Sequence, residues 1–269
     1  MSLRIQNNVE AFNAQRQLVS NSDKLAKAME KLSSGYRINR AGDDAAGLAI
    51  SEKLRGQIGG LAQASRNASD AVSLVQTAEG ALNEVHSMLQ RVRELAVQYK
   101  NGTLSTNDQL AIQSEVNQLK AEIERVGTDT EFNNISLLNS ASTTISFQVG
   151  AADAQQITVA TISVGAQVAA GAFTLTTSGA TDIAEIDTAI NNVSAQRAQF
   201  GAVQNRLDHT LANLATYHEN LVASESRVRD ADMAQEMVDF TKLQILQQAG
   251  TSMLAQANQA SQGVLSLLR

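Results

Sequence analysis

Not one of the 269 residues is a proline. Proline breaks helices because its ring fixes φ and removes a backbone donor, so this chain is free to run helices without interruption. Its apolar residues are of an unusual kind as well. Trp is absent, six Phe and three Tyr make up the aromatic complement, and aromatic side chains supply much of the buried area of ordinary cores. Ala, Leu, Ile and Val must fill the interior instead, which suits narrow helix–helix seams better than a compact globule. The absence of Cys excludes disulfides and thiolate metal sites.

Hydrophobic periodicity carries that expectation along the chain. Ile5, Phe12, Val19 and Ala26 are spaced by seven, as are Leu18, Leu25 and Leu32. Gly35 offers this helix an end, and Asp43 or Asp44 can cap the next. A second helix is predicted from about residue 44 to about residue 100, with the stripe Leu54, Ile58, Leu61, Ala68, Val72, Val75, Leu82, Val85, Leu89, Val92, Ala96 and Tyr99. At 1.5 Å per residue it would be roughly 85 Å long. Asn101-Gly102 turns the chain, Ser105 can cap a third helix carrying Ile112, Val116, Leu119, Ile123 and Val126, and Gly127 is its expected stop.

From about residue 132 to residue 180 the period changes. Ile145-Ser-Phe-Gln-Val and Ile157-Thr-Val-Ala alternate around Gly150-Ala-Ala-Asp-Ala-Gln, which predicts a β-hairpin, with short strands and loops from 165 to 179. Then positions 183, 186, 190, 193, 197, 200, 204, 207, 211, 214, 218 and 221 step by three and four without a slip. Arg197, Gln204 and His218 are the polar members, and polar residues on such a seam set register and pairing.

The last segment is the most informative. Leu243 to Leu268 holds no charged residue, and Leu243, Leu246, Gly250, Met253, Ala257, Ala260, Val264 and Leu267 keep the three–four step. Its other face carries amides such as Gln244, Gln248, Gln256 and Asn258, too many for a membrane helix. A helix that is uncharged all round is surrounded by other protein. One slender chain cannot supply those neighbours, so other copies must. The two helical ends are therefore expected to assemble with copies of the chain.

Charge adds a second constraint. No Lys or Arg occurs between Arg125 and Arg197, where Asp129, Glu131, Asp153, Asp182, Glu185 and Asp187 account for the whole net charge of −6. Such a stretch has little to pair with and is expected to face solvent on the outside of an assembly. The N-terminal forty residues are mildly basic, but the charges are interspersed and fit a solvated helix face better than a nucleic-acid site. No run of eighteen apolar residues exists to span a membrane, and Met1-Ser-Leu-Arg-Ile lacks a secretory signal core, so export is expected by another route.

Several long stretches resemble one family. Arg4-Ile-Gln-Asn-Asn, the nineteen residues beginning Leu32-Ser-Ser-Gly-Tyr-Arg-Ile-Asn-Arg, Leu89-Gln-Arg-Val-Arg-Glu-Leu-Ala-Val-Gln, Phe147-Gln-Val-Gly-Ala, Ala249-Gly-Thr-Ser-Met-Leu-Ala-Gln-Ala-Asn-Gln and the ending Val264-Leu-Ser-Leu-Leu-Arg look like bacterial flagellin. The resemblance covers nearly the whole chain. It implies a mainly α fold: a long antiparallel helical rod with terminal coiled-coil helices and a small central β-hairpin region. Residues 1–40 and 225–269 would form an inner assembly domain, and 41–224 a rod with a short outer loop at about 132–180, a minimal form without large outer domains. The family often has Pro near Ala260, and this chain has none.

On that resemblance the chain is a secreted, extracellular subunit of the flagellar filament, polymerising with itself through Ile5, Val9, Phe12, Leu18, Leu25, Leu32, Leu243, Leu246, Met253, Leu254, Ala257, Val264 and Leu267. Its implied partners are an export chaperone, the type III export apparatus, and the filament cap and hook-junction proteins. The motif Gln90-Arg-Val-Arg-Glu-Leu is where a host flagellin-sensing Toll-like receptor grips family members. Gln90, Arg91, Glu94 and Leu95, with Glu115 on the neighbouring helix, would be its contacts here, on a face turned away from the seam of Leu89, Val92, Ala96 and Tyr99. The same face would touch the next subunit.

Rival readings have little to stand on. His218-Glu219 begins an H-E-x-x-H pattern, but Val222 stands where its second His would be, so that zinc site cannot form. Gly56-Gln-Ile-Gly-Gly lies inside a helical stripe, without the strand a phosphate loop requires. Four Asn-x-Ser/Thr triplets, at Asn67, Asn101, Asn134 and Asn192, are too short a pattern to mean glycosylation. No catalytic constellation, cofactor or metal is expected. A hook–filament junction protein of the same family and a generic coiled-coil scaffold remain the alternatives.

Overall fold

The computed structural model describes residues 8–139, 144–161, 163–164, 175 and 182–267, with side chains described only as far as 259. Among these residues five helices dominate: α1 (Val9–Ser34), α2 (Ala45–Tyr99), α3 (Thr106–Asp129), α4 (Asp182–Arg229) and α5 (Met233–Leu267). Two antiparallel hairpins lie between α3 and α4, β1 (Glu131–Phe132) with β2 (Ile135–Ser136) and β3 (Thr144–Gln148) with β4 (Gln156–Ala160). The chain divides into two compact units, Gln57–Glu219 and the paired ends Met1–Gly56 with Asn220–Arg269.

The helix boundaries follow local chemistry. Asn8 caps α1 by accepting from the Ala11 amide, and α1 ends at Gly35, whose φ of 75° lies in the left-handed region that glycine enters without strain. Asp44 precedes α2 and accepts from the Gly47 amide at 2.9 Å. Ser105 and Asp108 form a reciprocal capping box on α3. Gly127 is not the stop that its residue type suggests. It is buried inside α3, which runs on to Asp129, because Thr130 closes the helix by donating its hydroxyl to the Val126 carbonyl at 2.6 Å.

In the unit Gln57–Glu219 the core follows α2. Leu61, Ala64, Ala68, Ala71, Val75, Ala78, Leu82, Val85, Leu89, Val92 and Ala96 are all buried, an unbroken three–four step. From Ala68 onward they meet Ile112, Val116 and Ile123 of α3 and Ile186, Val193, Phe200 and Leu207 of α4 in one cluster. The predicted hairpin is present, with Ile145 opposite Val159 and Phe147 opposite Ile157. It is pinned on both sides: Asn67 Nδ2 donates to the Gln148 carbonyl at 3.0 Å, and Gln196 Nε2 donates to the Ala160 carbonyl at 3.0 Å. The β1–β2 hairpin was not anticipated. Its turn residues Asn133 and Asn134 both have positive φ, 51° and 65°, as a tight two-residue hairpin requires. The strands and loops expected at 165–179 lie outside the described residues except Leu175, which is buried.

The acidic stretch does have cationic partners, supplied by α2 across the core. Asp187 takes Arg93 at 2.6 Å, and Asp182, only 6 % exposed, takes Lys100 at 3.7 Å. The expectation that these carboxylates had little to pair with counted neighbours in sequence and missed neighbours in space. Asp129 is held at its own helix end by Arg125 at 3.0 Å, whereas Glu131 and Asp153 are exposed.

Candidate self-assembly surfaces

The two ends of the chain pair with each other. Asn8 Nδ2 donates to the Ala257 carbonyl at 2.9 Å, Lys31 Nζ meets Glu236 at 2.9 Å, and Leu18 packs on Gly250 so closely that a Cβ there would lie 2.9 Å from its Cδ1. These contacts run in opposite directions along the two helices, so α1 and α5 are antiparallel.

On α1 the side turned to α5 is Ala11, Ala14, Leu18, Asn21, Leu25, Ala28 and Leu32, each buried or half-buried. Phe12, Val19 and Ala26 lie on the other side, with Phe12 64 % exposed. The two heptad stripes read from the sequence thus have different jobs: one closes the pair and the other leaves it open. On α5 the half-buried stripe is Leu243, Gln247, Gly250, Leu254 and Ala257. Leu246 and Met253, expected on that stripe, point away instead, Met253 at 63 % exposure, together with Met233, Met237, Val238 and Ile245. Ile5 and the side chains of Val264 and Leu267 lie outside the described residues.

Both helices therefore carry apolar residues on faces that nothing within the chain's described residues covers. A helix normally places charge on its open side. From Leu243 to Gln259 α5 has none, and its open side bears Ile245, Leu246 and Met253 among amides.

A clasp joins the two ends where the helices stop. The Arg37 amide donates to the Arg229 carbonyl at 2.7 Å and the Ala231 amide to the Gly35 carbonyl at 2.9 Å, bridging the α1–α2 and α4–α5 connections. The Arg229 guanidinium lies 4.9 Å from the centre of the Tyr36 ring and donates to Glu52 Oε1 at 2.6 Å. That hydrogen bond holds the Glu52 carboxyl below its usual range. Sequence reasoning missed the clasp, because no periodic signal marks two short connections 192 residues apart.

The motif from Gln90 to Leu95 presents a different surface. Arg91 on α2 is gripped by Glu115 of α3, Nη2 to Oε1 at 2.9 Å, and by Glu94 at 3.3 Å, and all three are open to solvent. Gln90 is exposed beside them and reaches the His86 ring at 2.9 Å. Leu95 departs from the expectation. It is 2 % exposed and belongs to the core cluster. Four residues along a helix is about 40° past a full turn, which carries Leu95 from Arg91's flank towards Val92. Because α2 packs against both α3 and α4, its buried arc is wide enough to include it.

Among the described residues no helix is long and apolar enough to cross a membrane, and no cluster of His, Asp or Glu could hold a metal.

Known proteins match nearly the whole length of this sequence. The bacterial flagellin N-terminal helical region matches residues 5–143 and the flagellin C-terminal helical region matches residues 183–268. A flagellin of Halalkalibacterium halodurans is 53% identical over 270 residues, 98% of this chain and 99% of the relative. A flagellin of Bacillus subtilis is 49% identical over 304 residues, 99% of this chain and 100% of the relative. The crystal structure of Bacillus cereus flagellin superposes with a TM-score of 0.51 at 35% identity, covering 55% of this chain and 88% of that one. The paired ends, with their uncharged stretch from Leu243 to Gln259, and these matches lead to one conclusion: the chain belongs to the bacterial flagellins, the structural subunits that self-assemble into the flagellar filament outside the cell.

Proposed function

We propose that this subunit polymerises by docking the open apolar faces of α1 and α5 onto other copies. The observation that carries the reading is the row of uncovered apolar residues on an already paired helix couple: Val9, Phe12 and Val19 on α1 with Ile245, Leu246 and Met253 on α5. Large exposed apolar surface of this kind marks an interface. The two rows are different surfaces, which suits heterologous contacts between copies, the kind that builds an open helical polymer where the rotation does not close. On this reading residues 1–40 and 225–269 are the assembly domain and 41–224 the body. Phe12→Asp or Leu246→Asp should leave the monomer folded, since both side chains are exposed, yet abolish polymerisation by burying an unpaired charge. Sedimentation and electron microscopy of the purified variants test it. Full-length filaments from either variant would overturn the assignment of that face.

Passage through the type III export apparatus with its chaperone, and contact with the cap and hook-junction proteins, follow from family membership as further proposals. So does the receptor contact, now confined to Gln90, Arg91, Glu94 and Glu115, with Leu95 holding α2 in place from beneath. Arg of this exposure and geometry suits an interface hot spot. Arg91→Asp should abolish activation of the flagellin-sensing receptor in a reporter cell, and full signalling would refute the contact. It should also weaken assembly if the next subunit uses the same face, so filaments of normal yield would separate the two surfaces.

A further inference from the structure

The chain has six Met and no Cys, so thioethers are its only oxidisable sulfur. Five of these Met have described side chains, and their distribution is uneven. Met29, Met233, Met237 and Met253 are all on α1 and α5, with exposures of 47–63%. Met88, in the other unit, packs against the core cluster. Met29 is two residues from Lys31 and Met237 is next to Glu236, so the Lys31–Glu236 ion pair brings them to the same level of the helix pair. Met233 lies one turn before Met237, at the start of α5, and Met253 sits among the uncharged residues beyond Leu243.

We infer that these four methionines are a modification site at which a hydroperoxide blocks polymerisation of the free subunit. The inference rests on the assembly reading above. A thioether sulfur attacks one peroxide oxygen with its lone pair. The O–O bond breaks, an S–O bond forms, and the second oxygen, after taking the proton, leaves as water from hydrogen peroxide or as an alcohol from an alkyl hydroperoxide. Sulfur loses two electrons and the peroxide gains them. The product sulfoxide is a strong hydrogen-bond acceptor on a side chain that had been apolar. It stands on a face that must lose water when copies meet, where an unpaired polar oxygen is costly. The neighbouring apolar residues Phe12, Val19, Val238, Ile245 and Leu246 are inert to peroxide. Among the described residues the exposed thioethers are thus confined to the surface that works only while it is apolar. Exposure of the same side chains makes the free subunit the reactive form, and coverage by other copies makes the polymer the protected one.

The test uses the full-length protein, hydrogen peroxide and mass spectrometry. Oxidation of the monomer should appear at the four positions well before Met88, and the critical concentration for polymerisation should rise about tenfold or more, the scale expected for each buried polar group left unpaired. Methionine sulfoxide reductases should restore assembly. A variant with M29L, M233L, M237L and M253L together should polymerise and ignore peroxide. Should that variant fail to polymerise, the decision falls to M237Q and M253Q, which place a permanent polar group at two of the sites without peroxide. Normal assembly by fully oxidised wild-type protein, or by both Gln variants, would overturn the proposal. Peroxide treatment of finished filaments separates the two readings. If the four sites oxidise there as fast as in the monomer, they are not covered by neighbours and the assembly reading fails. If they are protected there while oxidised monomer assembles normally, only the oxidation proposal fails.

Discussion

Arg229 does at residue scale what helix packing does elsewhere. Its side chain is 12% exposed, stacks on Tyr36, holds Glu52, and sits in a connection whose carbonyl receives the Arg37 amide. A stacked, forked cation of this kind is not replaceable by Lys. The carboxylates around the connections give the molecule its pH response. The Asp43 carboxyl accepts from the Arg40 and Asn39 amides, which hold it below 3.8, as Arg229 holds Glu52 below 4.5 and the Ser105 hydroxyl holds Asp108 below 3.8. Groups whose folded pKa is depressed add stability above their unfolded pKa and surrender it as pH falls through the folded value. Each is exposed, so each contribution is small and screened by salt. The melting midpoint should therefore hold from neutral pH to about 5 and drop as pH falls below about 4.5, the ordinary carboxylate range, with Glu52→Gln flattening part of the decline. A midpoint independent of pH across that interval would contradict the assignment.

At the scale of elements, the helices and the long hairpin were readable from the sequence, but the flank of each helix was not. A three–four step through a heptad has two versions that share every seventh position. On α4 the chosen version ran 183, 186, 190, 193, 197, 200, whereas the deepest residues are Asp182, Ile186, Ala189, Val193, Gln196 and Phe200. Ile186, Val193 and Phe200 are common to both, and Arg197 falls beside the seam while Gln196 occupies it. On α5 the same ambiguity exchanged Leu246 and Met253 for Gln247 and Leu254. Both flanks of a surrounded helix are apolar enough to qualify, and only the partner decides between them. Leu95 was misplaced for a related reason, since a helix with two partners buries a wider arc than one seam. Gly250 tests the α1–α5 seam directly. Gly250→Ala should be nearly neutral, because the atom it meets is the mobile end of Leu18. Gly250→Val should cost about 1–3 kcal/mol by overpacking, measurable by urea denaturation, and Leu18→Ala in the same chain should recover much of it. Equal stability of the Ala and Val variants would place the seam elsewhere.

For the whole molecule, the body and the ends make separable claims. The unit Gln57–Glu219 contains the main core cluster, so a fragment of residues 44–224 should give a helical circular dichroism spectrum and melt cooperatively. Without α1 and α5 it should remain monomeric in sedimentation at concentrations where the full chain forms filaments. Polymerisation of that fragment would remove the ends from the assembly mechanism. The sequence pointed to this division through charge and composition, since an uncharged helix without internal neighbours needs external ones. Charge and composition did not show that the ends would first pair with each other; the family resemblance implied that, through its terminal coiled coil.

That pairing has a consequence for synthesis. Asn8 and Ala257, which meet across the pair, are 249 positions apart, so the helix made first waits for the helix made last. Under the proposed assembly, a chain released early by a stalled ribosome or a premature stop codon carries α1 without its mate and lacks half of the docking face. Selection for chains that carry both helices would then be a property of the joint itself, with no separate inspector.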